Sequence, residues 1–348
     1  MYILAFAITL VSSLLITPIV KKFAIKIGAV DKPNQRKVHK NIMPRLGGLA
    51  IFLSFIIGVL ITNPTDTYHL PIIIGSLIII VTGFFDDILE LSPKLKLLGQ
   101  LLAAVIVVFG GLEVEFINNP FGDPIEFGIL SKPVTIIWIL AITNAINLID
   151  GLDGLAAGVS SIALITISFM AILKGDIYAF TLGIILLGST LGFLFYNFHP
   201  AKIFMGDTGA LFLGYMIAIL SLLGFKNITM VSFIIPIIIL GVPISDTLFA
   251  IIRRLINKKP ISAPDKSHLH HCLIKAGFTH RQTVLLIYAM ASLFSIAAVI
   301  LSLATLWGTI LVLFVLFIAI ELFVEKFGLI NKKYKPILKF VKSLSNQK

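Results

Sequence analysis

The sequence predicts an all-α, polytopic integral membrane protein of about eleven transmembrane helices, with the N-terminus outside and the C-terminus cytoplasmic. Three observations predict it. Of 348 residues, 58% are hydrophobic and 13% charged, at a mean hydropathy of +1.04, whereas soluble domains carry about 25% charged residues. The apolar residues fall into runs near the roughly 17–25 needed to cross a bilayer. All 28 Lys and Arg residues except Lys132, Lys174 and Lys226 fall on one side of those runs, which makes that side cytoplasmic. The net charge of +11 therefore reports topology, and no nucleic-acid partner is expected. A single cysteine, Cys272, rules out an intrachain disulfide.

The first span, Tyr2 to Val20, has Lys21-Lys22 behind it and lacks a signal peptide's basic n-region and cleavage site, so it is read as retained. A basic loop from Asp31 to Lys40 closes with Pro44-Arg45-Leu46-Gly47-Gly48; alone, it reads as a loop meeting lipid headgroups. Span two covers Leu49 to Ile61. Span three, Leu70 to Phe85, delivers Asp86-Asp87 to the cytoplasmic face. An ionised Asp at the bilayer centre costs about 2.5–3.5 kcal/mol, so this pair belongs at a membrane face or in a wet cavity and marks function. Span four, Leu97 to Leu112, leads to an acidic outer loop in which Glu113-Val114-Glu115-Phe116 alternates like a small hairpin.

Span five, Pro133 to Ile149, runs into Asn144, Asn147, Asp150 and Asp153, polar at every third position. On a helix these share one face, and the intervening glycines admit a ligand or a second backbone. Capping accounts for one or two such residues, not four. Spans six and seven, Ala156 to Leu173 and Ile177 to Phe195, lead to a second polar concentration: Asn197-Phe198-His199-Pro200, then Phe204-Met205-Gly206-Asp207-Thr208-Gly209. Asp-Thr-Gly also occurs in aspartic proteases, but the second matching loop and the β-rich fold are missing. Span eight ends near Gly224. Span nine, Met230 to Ile252, carries Pro243 and Asp246, the latter expected to pair with Arg253 or Arg254. The longest cytoplasmic loop holds His268-Leu269-His270-His271, and spans ten and eleven, Thr283 to Leu303 and Leu306 to Phe323, lead to a basic tail.

The informative polar clusters thus all fall on the cytoplasmic side. No P-loop or dinucleotide fingerprint is present, so phosphate binding falls to carboxylates, amides, imidazoles and basic side chains. Magnesium prefers oxygen ligands, usually one or two carboxylates plus substrate phosphates; Asp207 with Asn147 or Asp87 supplies such a set. A site open to cytosol and lipid suits joining a soluble phosphate compound to a lipid phosphate, with Arg45 or Lys37 and the histidines steadying the anion. Zinc at His268, His270, His271 and Cys272 is disfavoured, because ligands so crowded in sequence strain a tetrahedral site. Proton-coupled transport is the reading from another class. It predicts midplane carboxylates and an internal repeat, whereas the carboxylates cluster at one face and no repeat is evident. The organisation expected is one transmembrane catalytic domain, 1–325, with active-site loops 21–48, 84–97, 144–155, 196–208 and 253–282, and a basic tail, 326–348.

Taken in order from Arg45-Leu46-Gly47-Gly48 to His271, these motifs resemble those of the polyprenyl-phosphate N-acetylhexosamine-1-phosphate transferases, specifically the WecA/TagO/TarO branch, related to MraY. The resemblance implies a Mg2+-dependent enzyme (Mn2+ substituting) of the bacterial plasma membrane, its active site facing the cytoplasm. It implies transfer of GlcNAc-1-phosphate from UDP-GlcNAc to undecaprenyl phosphate with release of UMP, beginning a surface polymer such as wall teichoic acid, and a homodimer in the lipid. By position, Asp207 becomes the principal magnesium ligand, with Asn147 as helper, and Asp86 and Asp87 the acidic pair at the reacting phosphates. Asn197 and Phe204 fall where relatives hold uridine. Arg45, Asn144, Asp150 and Asp153 are expected to bind substrate, and His268, His270 and His271 to contact sugar or phosphate. MraY-type enzymes carry three consecutive histidines; His-Leu-His-His here favours UDP-GlcNAc over the muramyl-pentapeptide donor, which remains the alternative. A general-base role for Asp86 conflicts with elementary acidity: a phosphate monoester loses its second proton near pKa 6, and Asp sits near 3.9. The expectation is a single displacement, with Asp86 positioning lipid phosphate or metal.

Overall fold

In the computed structural model, described for residues 1–31, 42–117, 123, 125–224, 234–258, 260, 267–327 and 336, each apolar run is helical. Helices are expected there because hydrocarbon offers no partner for a free backbone amide or carbonyl. In chain order they are α1 (Tyr2–Ile27), α2 (Gly47–Thr62), α3 (His69–Leu89), α4 (Pro93–Phe109), α5 (Ser131–Ile149), α6 (Leu155–Leu173), α7 (Ile177–Asn197), α8 (Gly206–Leu223), α9 (Ile234–Ile239), α10 (Gly241–Ile256), α11 (Leu269–Lys275), α12 (His280–Leu303) and α13 (Leu306–Phe327). Among the described residues eight helices are long and apolar enough to cross a membrane. The protein is polytopic, but three expected spans fall short: α2 has 16 residues, α4 has 17, and span nine is broken into α9 and α10. The break at Leu240 has a local cause, since Pro243 has no N–H to give the carbonyl of Ile239.

Two short antiparallel ribbons flank the bundle. β1 (Val30–Asp31) pairs with β2 (Met43–Pro44), bracketing the basic loop. β3 (Phe116–Ile117) pairs with β4 (Ile125–Glu126), near the alternation at Glu113 to Phe116. Lys37 and the rest of 32–41, the segment 261–266 and, apart from Pro336, the tail beyond Phe327 lie outside the described residues.

The core is organised around α8, in which every residue from Thr208 to Leu223 is buried. A helix apolar on all faces must be surrounded, and α8 is packed by α2, α3, α5 and α6. Without a hydrophobic force between helices in lipid, close packing depends on small residues. A Cβ on Gly48 would lie 2.0 Å from the Gly209 backbone nitrogen, and one on Gly83 would lie 2.5 Å from Thr208 Cα. These two approaches bring the N-terminus of α2 and the C-terminal end of α3 onto the first turn of α8. Gly48→Ala is therefore expected to lower stability by about 1–3 kcal/mol through overpacking against backbone that cannot yield, read as a drop in the thermal unfolding midpoint in detergent micelles.

Candidate active site

Gly206 starts α8 at φ +71, a left-handed conformation, and a Cβ there would meet Asp87 Oδ2 at 2.4 Å. The absent side chain lets the buried carboxylate of Asp87 reach the helix terminus. Asp87 Oδ1 accepts from the Asp207 amide at 2.9 Å, and Oδ2 from the Thr208 amide at 3.0 Å and hydroxyl at 2.6 Å. Arg45 completes the shell through Nη2 at 2.9 Å and Nε at 3.0 Å, both on Oδ1. Burial disfavours the Arg45 charge, yet the surrounding carboxylates, Asp87 foremost, outweigh it and hold the guanidinium pKa above its ordinary value. The loop carrying Arg45 is zipped to the loop before α8: the Phe204 amide donates to Pro44 O at 2.8 Å, and those of Gly47 and Gly48 to Phe204 O and Met205 O at 2.9 and 2.8 Å. Asp87 and Arg45 thus hold one another and the α8 terminus.

Asp86, one residue earlier on α3, has a different environment. Its Oδ2 lies 3.3 Å from Lys96 Nζ, which also meets Asn147 Oδ1 at 3.5 Å and contacts Asp207 Oδ2. The Asn147 amide in turn donates to Asp207 Oδ1 at 3.2 Å. Three oxygens from α3, α5 and α8 therefore converge on one cationic group. Lys96 lies within the expected active-site loop 84–97, although it is not among the candidate site residues. A signal was available, because Lys96 and Gln100 stand four apart on α4 and so share a face.

The polar stripe expected from Asn144 to Asp153 is divided. α5 ends at Ile149, and Gly154 lies at φ +75, a position that favours glycine. Asn144 donates to Gln100 Oε1 of α4 at 2.6 Å and to Leu140 O of its own helix at 2.8 Å, so it ties α5 to α4 and is not on the cavity wall. Asn147 joins the cation centre. Asp150 and Asp153 reach a cavity of about 450 Å³, together with Arg45, Asp207 and Phe204. Asn197 lines this cavity too, but its amide ties two loops, accepting from Gly154 N at 3.1 Å and donating to Ile203 O at 3.0 Å.

The three histidines also divide. His268 stands directly before α11, and its Nδ1 lies 2.9 Å from Asp246 Oδ2, while the Leu269 amide donates to Asp246 Oδ1 at 2.7 Å. Asp246, expected from sequence to pair with Arg253 or Arg254, thus has its oxygens on the histidine loop. His270 and His271 line the cavity. A Cβ on Gly151 would lie 2.5 Å from His270 Nε2, so the glycine makes room for the ring. Burial, reinforced by neighbouring His271, pushes His270 down to about 3, so at neutral pH the ring carries no charge. The cavity also contains His199 and His280, which were not singled out as candidates. One directly follows Phe198 and the other opens α12, remote in sequence from each other.

Burial, with a smaller contribution from Asp87, raises Asp150 to about 7 from the ordinary 3.8. The folded state therefore keeps a proton that the unfolded chain has released, so this stabilisation is present below about pH 4 and disappears as pH rises through about 7. Asp150→Asn should flatten the corresponding fall in thermal midpoint; an unchanged pH dependence would refute the assignment. Asp87→Ala leaves Arg45 and the α8 terminus uncompensated and should cost about 3–5 kcal/mol. Asp207→Ala, at a side chain 23% exposed, should cost about 1 kcal/mol or less; unfolding midpoints in micelles separate the two.

Residues 69–225, which span α3 to α8, match the model of "Glycosyl transferase family 4". The chain is 55% identical to the probable undecaprenyl-phosphate N-acetylglucosaminyl 1-phosphate transferase of Bacillus subtilis, over 98% of this chain and 96% of that one. It is 33% identical to the decaprenyl-phosphate N-acetylglucosaminephosphotransferase of Mycobacterium tuberculosis, over 80% and 77%. It is 32% identical to the phospho-N-acetylmuramoyl-pentapeptide-transferase of Halalkalibacterium halodurans, over 86% and 95%. With three relatives above 30% identity, each covered over more than two thirds of its length, and a family model matching α3 to α8, the chain belongs to glycosyl transferase family 4.

Proposed function

We propose that this protein transfers GlcNAc-1-phosphate from UDP-GlcNAc to undecaprenyl phosphate, giving undecaprenyl-diphospho-GlcNAc and UMP. The reaction takes place at the cytoplasmic face of a bacterial plasma membrane, as the first membrane step of a surface polymer such as wall teichoic acid. The observation that carries the proposal is the convergence of Asp86, Asn147 and Asp207 on the Lys96 ammonium, beside a cavity lined by Arg45 and neutral His270. Support for the donor comes from the 55% identity to a protein named for undecaprenyl phosphate and GlcNAc, against 32% to the muramoyl-pentapeptide enzyme.

The donor set fits magnesium: two carboxylates and an amide, all oxygen, already gathered around a positive group. Asp207 and Asn147 would hold the ion, with Asp86 beside them, and bound there Mg2+ supplies charge neutralisation to the phosphate oxygens. Lys96 keeps the carboxylates together and offers a second positive charge to the diphosphate. Arg45 and the imidazoles of His270 and His271 orient the anionic donor, and Phe204 offers its ring to the base. An oxygen of the lipid phosphate, largely dianionic above a pKa near 6, attacks the sugar-linked phosphorus. The new O–P bond forms as the bridging P–O bond breaks, and UMP leaves with that bond's electrons. Asp87 has both oxygens engaged by donors, which argues against a covalent adduct there and for a single displacement.

Purified protein with Mg2+ and undecaprenyl phosphate should release UMP from UDP-GlcNAc, and much more slowly from the muramyl-pentapeptide donor. Asp207→Ala and Lys96→Met should each lower turnover by about 10²–10³ or more. Near-normal activity of Asp207→Ala would remove its metal role. Solute flux into vesicles without UMP release would restore the transporter reading.

A further inference from the structure

The cavity holds a second group of possible ligands, chemically unlike the oxygen-lined centre. Asp153, His199 and His280 each present one ligand atom, and the three atoms lie within 4.8 Å of one another. Asp153 Oδ2 is 2.8 Å from His199 Nδ1 and 4.0 Å from His280 Nε2. An ion bound tetrahedrally at about 2.0 Å needs ligand atoms roughly 3.3 Å apart, a spacing that these two distances bracket. Because an imidazole binds an ion in its own ring plane, at least one of the two histidines must turn about its side-chain bonds to complete the site.

The group comes from three separate elements, each held in place. The Ala201 amide donates to Asp153 Oδ2 at 3.1 Å, fixing the carboxylate beside His199. His280 opens α12 directly after Thr279, whose hydroxyl accepts from the Gln282 amide while the Gln282 side chain accepts from the Thr279 amide, a capping box that fixes the helix start. The two imidazoles are stacked at 4.2 Å with their planes 21° apart. His280 Nε2 accepts from the Asp153 amide at 3.0 Å, so its lone pair is directed at that amide and the proton is on Nδ1; ligation requires the ring to release the amide. All three residues line the cavity, and His199 is 39% exposed, which leaves a path in and a coordination position facing the cavity.

We infer that Asp153, His199 and His280 form a second cation site, taking a borderline transition-metal ion of the Zn2+ class in the same cavity as, but apart from, the Asp86–Asn147–Asp207 oxygens. Two imidazoles and one carboxylate suit such ions, whereas Mg2+ prefers an all-oxygen set. Three protein ligands and an open position admit water or a phosphate oxygen as fourth. The assignment does not depend on the transferase reading, because it concerns metal binding alone.

The test uses the full chain in detergent micelles with Mg2+ in excess, titrated with Co2+ as a spectroscopic probe. The site predicts one equivalent of Co2+ giving the visible bands of four-coordinate nitrogen and oxygen ligation, displaced by Zn2+. His199→Ala and His280→Gln should each weaken it by at least about tenfold, while His271→Ala leaves it intact. Thermal midpoints confirm that each variant is folded. X-ray absorption on the wild-type Co2+ complex gives a readout independent of variants, with two imidazole nitrogens expected. Bands lost to excess Mg2+, affinity unchanged in folded His199→Ala and His280→Gln, or an oxygen-only coordination sphere would overturn the site.

Discussion

The Asp87 carboxylate, buried between Arg45 and the first turn of α8, is the interaction on which the rest of this structure depends. A charge removed from water must be paired and hydrogen-bonded or it expels itself, and here the pairing draws on three segments far apart in sequence. Arg45 comes from the loop before α2, Asp87 from α3, and the Asp207 and Thr208 amides from α8. The positive end of the helix dipole favours an anion at that place. Gly206, at positive φ with no side chain, and the close approaches at Gly48 and Gly83 are the conditions under which the carboxylate can arrive.

From this anchor the neighbouring acid acquires its freedom. Asp207 has its backbone amide held by Asp87, while its side chain is left to Asn147 and Lys96. The adjacent acids of α3 are therefore not equivalent: one organises the helix terminus, and the other faces the cation centre. A pair that looks in sequence like a dyad is divided by the helix, since consecutive residues point about 100° apart.

The same division of labour recurs among the remaining polar residues. Asn144 and Asn197 spend their amides on Gln100 and on the Gly154 and Ile203 backbone, and His268 is held by Asp246. Asp150, Asp153, His270 and His271 are left on the cavity wall. Membrane proteins hold buried polar groups in such partnerships because hydrocarbon offers no substitute for water. A polar residue in a span is thus a sign of either role, and its partner decides which.

The sequence by itself determined the helical, membrane-embedded class and set the polar motifs of Asp86-Asp87, Asn147 and Asp207 at the ends of apolar runs. Composition and period carry that information locally, since a span must be apolar over its whole length and a buried carboxylate is conspicuous within it. It did not show that span nine breaks at Leu240, that Asp87 is a structural anchor while Asp86 is free to meet Lys96, or that Lys96 belongs to the site at all. Nor did it bring His199 to His280. Those outcomes depend on which side chains from distant segments meet, and only the packing of α2, α3 and α5 around α8, of α4 against α3 and α5, and of α12 against α6 brings them into contact.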